Sequence, residues 1–420
     1  MSEHIDKRIL DNGMVVLAEP IANIGSAAFT FLVPSGAATL PDGCCGAGTV
    51  ITDWLFRGAG ARNSRELKDA LDGLGIHRAG SVTSSHISLG AALEASNLCG
   101  ALELYSDVIL SPMLEAEQFD LSRQLALQGL MGLDDDPRQK VMLELYEKFY
   151  PDPLGRSPMG KSDELEKLGA AETAEIVKSN FYLPDTILAI AGKYDFDRVC
   201  SQLEKQFSVT RPRTDRQIKP GERCGGYTHY KHDGAQVHIG LMTPTVTIAS
   251  ADYYNAMAAV SVLSGGMSGR LFTEVREKRG LCYAVGARYN ALKEYAGISC
   301  YAGTTPEKAQ ETLDVIKGEF NRLFEGISAD EMQRAKVGLK STLIMQSESS
   351  SARAGGIASD YYLLGRVRPL DQIKSKIDAT GVDSVLGFLE KNKFTDYTVV
   401  TIGPKQVEHN QDPDWGEGTR

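Results

Sequence analysis

Alternating apolar and polar positions predict strands that recur in two similar halves of the chain. Residues 25–35 (Gly-Ser-Ala-Ala-Phe-Thr-Phe-Leu-Val-Pro-Ser) form an alternating apolar pattern that ends near a proline, and residues 234–245 repeat it. In each half the strand is followed by a helix of small residues, a charged helix, another strand and an amphipathic helix. The helix of small residues is predicted at 46–57 and 252–264, and the charged helix at 63–74 and 269–279. The next strand is predicted at 82–93 and 283–302, and the amphipathic helix at 95–110 and 306–324. The pattern predicts an α+β fold class, with two domains in which helices cover a mostly antiparallel sheet.

The break between the halves is visible in the composition. Residues 209–226 combine proline, glycine and charge without an apolar period, which is typical of an exposed linker. We therefore predict domains at 1–210 and 226–420 with a linker at 211–225. The polar residues 407–420 are predicted to form a frayed tail.

Composition narrows the class of protein. The 420 residues are 42% hydrophobic, which is enough to bury two cores. A formal net charge of -10 argues against nucleic-acid binding, because phosphate recognition needs a basic surface. The odd number of cysteines, seven, predicts no disulfide framework and favours a reducing compartment. The chain begins without a signal-like segment and has no apolar run of about 18–20 residues, so we expect a cytoplasmic, bacterial protein.

A glycine-rich turn precedes the second charged helix. It consists of Gly265, Gly266, Met267, Ser268 and Gly269. Such turns can hold phosphate, but this one lacks the G-x-x-x-x-G-K-[ST] pattern, and no dinucleotide fingerprint follows a suitable strand. We interpret it as the turn that begins a helix and lines a cleft.

The surrounding stretch, residues 263–285, carries a family resemblance. It reads Leu-Ser-Gly-Gly-Met-Ser-Gly-Arg-Leu-Phe-Thr-Glu-Val-Arg-Glu-Lys-Arg-Gly-Leu-Cys-Tyr-Ala-Val. This resembles the carboxy-terminal half-site of the inverted-zinc metallopeptidases, the family of insulinase, pitrilysin and the mitochondrial processing peptidase. Family-like segments also occur at 10–16, 180–185, 190–194, 346–349 and 363–366, so the resemblance covers most of residues 8–404. It implies two pitrilysin-like domains that face each other as a clam.

The zinc half-site of that family is degenerate here. In the family a helix carries H-x-x-E-H, which places two histidines on one helical face and a glutamate beside the metal-bound water. Anchored on 55–58 (Leu-Phe-Arg-Gly), the histidine positions fall on Thr49 and Asp53, and the glutamate position falls on Thr52. The third ligand, a later glutamate, falls on Gln128 or Gly129. These side chains do not form a tetrahedral zinc site, so we predict no metal cofactor in this chain.

Two histidines lie near the degenerate half-site. His77 and His86 flank the predicted strand beside it, and we interpret them as ordinary half-buried polar residues. Whether Asp53, His77 or His86 binds any ion is left open by the sequence.

The second half-site is complete by comparison. Arg276 and Tyr283 are separated by six residues, and the resemblance implies that they reach the zinc site of an opposing domain and hydrogen-bond the substrate carbonyl. A permanent positive charge and a hydroxyl donor can polarise a carbonyl and stabilise the developing oxyanion. Without the family context, the two residues would indicate only a surface ion pair and a half-buried aromatic ring.

These features predict a non-catalytic, substrate-binding subunit of a heterodimeric zinc metalloendopeptidase. The zinc is expected in a partner of the same family that carries H-x-x-E-H, and the substrate is expected to be an unfolded peptide held as an added strand. A homodimer in isolation is also compatible with the sequence. The alternative is a catalytically silent scaffold or peptide-binding protein similar to the core subunits of the cytochrome bc complex.

Overall fold

The computed structural model describes residues 4–181, 183–208 and 218–408. Three sequence predictions therefore fall partly outside the described residues: the linker at 211–217, the tail at 409–420, and Tyr182 of the family-like segment 180–185.

The strands are β1 (Asp6–Ile9), β2 (Val15–Pro20), β3 (Ser26–Val33), β4 (Gly58–Ala59), β5 (Arg62–Asn63), β6 (His77–Val82), β7 (Ile87–Glu94), β8 (Ile187–Gly192), β9 (Tyr227–Lys231), β10 (Val237–Pro244), β11 (Cys282–Ala291), β12 (Ala296–Thr304) and β13 (Thr398–Gly403).

The helices are α1 (Ala47–Trp54), α2 (Ser64–Gly73), α3 (Leu98–Leu110), α4 (Ala116–Met131), α5 (Pro137–Phe149), α6 (Ser162–Lys167), α7 (Ala170–Asn180), α8 (Phe196–Gln206), α9 (Tyr253–Ser264), α10 (Ala309–Glu325), α11 (Ala329–Ser347), α12 (Ser350–Leu364), α13 (Leu370–Ala379) and α14 (Val382–Lys391). A π-helical segment, Phe272–Glu277, precedes β11.

The contacts divide the chain into two compact units. The first unit contains 1–132, 152–221 and 344–370, and the second contains 133–151, 222–343 and 371–420. The sequence-based boundaries at 1–210, 211–225 and 226–420 stay a prediction, but the contacts assign two segments across them. Helix α5 contacts β10 and β13 of the second unit, and α12 contacts β3 and β8 of the first. Sequence reasoning missed this exchange of helices, because a helix's apolar face does not reveal which sheet it covers.

The first unit is built on a sheet with strand order β1-β2-β8-β3-β7-β6. Strands β2 and β8 pair in parallel, and the other neighbours pair antiparallel. One face packs against helices in the main core, which includes Phe29, Phe31 and Trp54. The opposite face holds a smaller core in which Ile357 of α12 packs against Leu17 of β2. Burying both faces explains why β8 is apolar along its whole length rather than alternating.

The second unit repeats this plan. Its strand order is β11-β12-β10-β13-β9, with β13 and β9 parallel and the other neighbours antiparallel. Read from the other end, the first sheet has the order β6-β7-β3-β8-β2-β1. Its first five strands correspond to the five strands of the second sheet, so β6 and β11 occupy equivalent edge positions. The α+β class and its mostly antiparallel sheets are as predicted. The predicted strand at 283–302 is wrong in one respect, because the chain turns at 292–295 and forms two strands, β11 and β12.

Candidate functional site

Helix α1 carries the first group of predicted site residues. Gly46, the residue before α1, has φ +92°, and a Cβ there would lie 2.9 Å from Cα of Gly160, so the start of α1 lies directly against the 158–160 segment. The Thr49 hydroxyl donates to the carbonyl oxygen of Pro158 at 2.7 Å, and the Thr52 hydroxyl donates to the carbonyl oxygen of Gly48 at 2.8 Å. Both threonine hydroxyl protons are therefore committed to backbone acceptors.

Asp53 is held inside a small polar cluster. One of its carboxylate oxygens accepts from Nε of Arg57 and from the hydroxyl of Ser122, each at 2.6 Å. Ser122 lies on α4 and is buried, so this contact joins α4 to α1. Because the Arg57 guanidinium already neutralises the carboxylate, Asp53 does not need a metal ion to balance its charge. The Asp53 and Arg57 spacing of four residues is the signal that could have predicted this ion pair.

The degenerate half-site forms one wall of a cavity of about 510 Å³. Its lining includes Thr49, Thr52 and Asp53 from α1, together with Met159. On α4, a Cβ at Gly129 would lie 3.8 Å from the Met159 methyl group. Gly129 therefore lies near Met159, a lining residue of the cavity, and both Gln128 and Gly129 are exposed on α4.

The residues at these positions do not fit zinc. Two threonines, one neutralised carboxylate and a glycine offer neither imidazole nor thiolate to a metal. Within residues 4–181, 183–208 and 218–408, no group of three or more His, Cys, Asp or Glu side chains is arranged to hold a metal ion. Neither predicted flanking histidine lines the cavity among the described residues: His77 is exposed on β6, and His86 is buried with its ring 4.3 Å from that of Tyr362.

The second predicted half-site is formed where the π-helical segment meets β11. The Arg276 guanidinium carbon lies 4.7 Å from the ring centroid of Phe272 and 5.1 Å from that of Tyr283. The register of β11 against β12 shifts between Cys282 and Ala284, so Tyr283 is the extra residue of a β-bulge. A bulge redirects the side chain it inserts, and the Tyr283 side chain is 80% exposed.

Arg276 keeps its charge uncompensated, unlike its neighbours. Lys278 and Arg279 each bind the Glu274 carboxylate at 2.7 Å, and these contacts hold the pKa of Glu274 below its usual value. In the part of the chain that the structure describes, Arg276 has no carboxylate partner and the Tyr283 hydroxyl has no hydrogen-bond partner. Burial raises the pKa of the adjacent Cys282 thiol to about 11, so this cysteine does not supply a thiolate. The exposed Tyr283 and the half-buried Arg276 can therefore bind a carbonyl or anionic group from another molecule.

The glycine-rich turn lies against a different cavity. Met267 and Ser268 line a cavity of about 680 Å³ together with charged side chains that include Arg270, Glu274 and Glu331. Neither Arg276 nor Tyr283 is among the described residues that line this cavity. Gly266 has φ +134°, which favours glycine, and a Cβ at Gly269 would lie 2.9 Å from the carbonyl oxygen of Leu263. The predicted role of Gly265 to Gly269 in lining a substrate cleft stays a prediction.

Several contributing residues were missed by the sequence reasoning. Phe272 supports Arg276, Ser122 anchors Asp53, and Arg78 lines the first cavity. Only the Phe272 and Arg276 pair has a sequence signal, since residues four apart meet on a helical surface.

The fold belongs to the α+β class and consists of two discontinuous units with equivalent strand orders. Residues 168–339 match the family model described as "Peptidase M16 inactive domain". This match confirms the resemblance predicted from the sequence.

Known proteins resemble the chain along nearly its whole length. An "Uncharacterized zinc protease" of Rickettsia felis is 25% identical over 412 residues, covering 97% of this chain and 99% of the relative. The crystal structure of a peptidase M16 inactive domain from Pseudomonas fluorescens has a TM-score of 0.86 at 17% identity, with 97% of this chain and 99% of that chain covered. A chain of Complex III2 from Candida albicans, with Inz-5 bound, has a TM-score of 0.85 at 18% identity and covers 96% of each chain. At these identities, the two solved structures establish the fold alone.

No helix within the described ranges is long and apolar enough to cross a membrane.

Proposed function

We propose that this chain is the non-catalytic, substrate-binding subunit of a heterodimeric zinc metalloendopeptidase. The observation that carries the proposal is the Arg276 and Tyr283 pair, which combines an uncompensated guanidinium with an exposed phenol hydroxyl at a β-bulge. A structural role alone would not require either group to remain unpaired. In the proposed complex, the pair hydrogen-bonds the carbonyl of a peptide held at the partner's zinc site.

The first unit supports the non-catalytic assignment. The positions expected to hold ligands and the base carry Thr49, Thr52, Asp53 and Gly129, and their polar groups are engaged within the protein. Zinc is therefore assigned to a partner subunit of the same family that carries H-x-x-E-H. Cleavage by this chain alone is not expected.

The substrate we propose is an unfolded peptide. Strand β11, which contains Tyr283, is at the edge of its sheet in the described part of the chain, so its backbone can pair with an extended segment. An added strand would bring a peptide carbonyl close to Tyr283 without requiring a particular side-chain sequence. A bacterial cytoplasmic location is part of the proposal.

Reconstitution tests this function. A quenched fluorescent peptide library is incubated with this chain, with the H-x-x-E-H protein encoded nearest to it, and with the mixture, and zinc is quantified in each protein. The proposal predicts cleavage in the mixture and zinc in the partner. Cleavage together with stoichiometric zinc in this chain alone would contradict it.

A catalytically silent scaffold is the second candidate, favoured by the structural similarity to a chain of Complex III2. A stable complex with the partner that leaves its cleavage rate unchanged would support the scaffold.

A further inference from the structure

A third cavity lies in the first unit and shares no described lining residue with the cavity at the degenerate half-site. Its volume is about 760 Å³, within the roughly 300–1,000 Å³ typical of sites for small molecules. Its walls come from three segments of the first unit, at 38–42, 152–156 and 218–219. The main chain ties the last two together, because the N–H of Gly221 donates to the carbonyl oxygen of Asp152 at 2.7 Å.

One largely buried arginine in this cavity is shared by two carboxylates. Nε of Arg156 donates to Asp152 at 2.9 Å, and Nη2 donates to Oδ1 of Asp42 at 2.7 Å. Nη1 donates to the carbonyl oxygen of Leu40 at 3.3 Å. The hydrogen bond from Arg156 lowers the pKa of Asp152 below its usual value, so this carboxylate is ionised at neutral pH. A single guanidinium compensates only one of the two negative charges.

Two charged groups at the cavity remain available to a ligand. The second carboxylate oxygen of Asp42 accepts no hydrogen bond from a described residue, and the Asp42 side chain is exposed. Lys219 is also exposed, lines the same cavity and forms no ion pair with any described residue. The cavity therefore offers one anionic acceptor and one cationic donor.

The remaining wall of the cavity is mainly apolar. Leu40 and Pro41 come from the first segment, Pro153 from the second and Ile218 from the third. Leu40 is buried and Ile218 is half-buried. An aliphatic group that packs against these side chains is removed from water, which favours its binding.

We propose that this cavity binds a small aliphatic zwitterion, with the ligand's ammonium group at Asp42 and its carboxylate at Lys219. A purely cationic ligand would be repelled by Lys219, and a purely anionic ligand by the uncompensated carboxylate, whereas a zwitterion is attracted by both groups. Charge-assisted hydrogen bonds at its two ends orient the ligand, and its side chain packs on the apolar wall. The site goes beyond the proposed function, because it needs neither a zinc-bearing partner nor Arg276 and Tyr283.

A free amino acid and a dipeptide share this chemistry, and six ligands distinguish them. L-leucine and L-alanyl-L-leucine are each compared with an N-acetylated form, which lacks the ammonium group, and with an amidated form, which lacks the carboxylate. Isothermal titration calorimetry measures binding to the full chain alone. We expect each single modification to weaken binding about tenfold or more, because it leaves one charged group of the cavity without its partner. The zwitterion that binds more tightly identifies the source.

Variants assign each charge of the ligand to one residue. Asp42→Asn is expected to weaken both zwitterions and to remove most of the effect of N-acetylation. Lys219→Gln is expected to weaken both zwitterions and to remove most of the effect of amidation. The matched controls Asp72→Asn and Lys68→Gln make the same charge changes at exposed positions of α2 and should leave binding unchanged. Thermal melting confirms that each variant is folded.

Three results would overturn the proposal. They are the absence of saturable binding of both zwitterions, equal affinity for the modified and unmodified ligands, and an unchanged affinity in folded Asp42→Asn or in folded Lys219→Gln. Since the assay contains no zinc-bearing partner and no cleavable substrate for one, its failure is distinguishable from a failure of the proposed function.

Discussion

The guanidinium carbon of Arg276 lies 5.1 Å from the ring centroid of Tyr283, and the ring itself is placed by a bulge in β11. The arginine stacks on this ring and on Phe272 while making no ion pair with the described residues. Stacking restricts the orientation of the Arg276 guanidinium without neutralising its charge. Arg276 and Tyr283 are therefore already positioned when a ligand binds.

This exposure predicts that Tyr283 matters little for folding. Tyr283→Phe retains the stacked ring and removes the hydroxyl, so we expect the free energy of unfolding to change by less than about 0.5 kcal/mol. Chemical denaturation of the two proteins measures this. A loss of several kcal/mol would indicate that the hydroxyl has a structural partner and would weaken its assignment to substrate.

A buried ion pair fixes α12 to the first sheet. Nε of Arg353 lies 2.8 Å from a Glu19 carboxylate oxygen, and both side chains are only 7% exposed. Arg353→Ala leaves Glu19 buried without its partner, so we expect a loss of about 3–5 kcal/mol in the free energy of unfolding. Denaturant titration checks the value, with Arg198→Ala on the exposed face of α8 as the control.

The double variant Glu19→Leu with Arg353→Met removes both charges. We expect it to recover most of the stability, because desolvating a charge pair largely offsets its attraction. If the single Arg353→Ala variant were as stable as the Arg198→Ala control, the claim that this ion pair stabilises the packing of α12 on the first sheet would be wrong.

Stability at acidic pH is expected to depend on Glu331. The hydrogen bonds from Arg270 are the largest cause that lowers the pKa of Glu331 from 4.5 to about 2. The pKa of Glu331 is lower in the folded state than in the unfolded state. The contribution of the ionised Glu331 to the free energy of unfolding is therefore present above pH 4.5 and is lost as the pH falls towards 2.

The test compares the wild type with Glu331→Gln at pH 7 and pH 3.5. The stability advantage of the wild type should shrink by roughly 1 kcal/mol between these pH values. Glu311→Gln, at an exposed position of α10, serves as the control. An advantage independent of pH would show that Glu331 is not the acid-sensitive group.

The degenerate half-site should be repairable if position 129 of α4 converges with Thr49, Thr52 and Asp53, which line one cavity. We expect a variant with Thr49→His, Thr52→Glu, Asp53→His and Gly129→Glu to bind one zinc ion per chain, because it restores three ligands and the base on α1 and α4. Elemental analysis after dialysis measures the metal. The matched control keeps Gly129 and should retain less zinc, while a folded quadruple variant without zinc would contradict the prediction that position 129 converges with positions 49 and 53.

Sequence patterns were sufficient for the class of fold, whereas the places of the two half-sites stay predictions. Strand β3 and its counterpart β10 were predicted from alternation, and α1 was aligned through the Leu-Phe-Arg-Gly motif that follows it. The exchange of α5 and α12 was not predictable, since it depends on long-range packing. That Arg78 and Arg276 have no carboxylate partner among the described residues also required coordinates. The sequence does not show which cations bind the nearby carboxylates of Asp53 and Glu274.

The most direct test of the proposed function is the cleavage rate of the reconstituted heterodimer with Arg276→Ala or Tyr283→Phe. Both variants should bind the zinc-bearing partner as the wild type does. Each should lower kcat by about 10²–10³-fold, the usual effect of removing one oxyanion donor. Cleavage at the wild-type rate by both complexes would contradict the assignment of Arg276 and Tyr283 to the partner's active site.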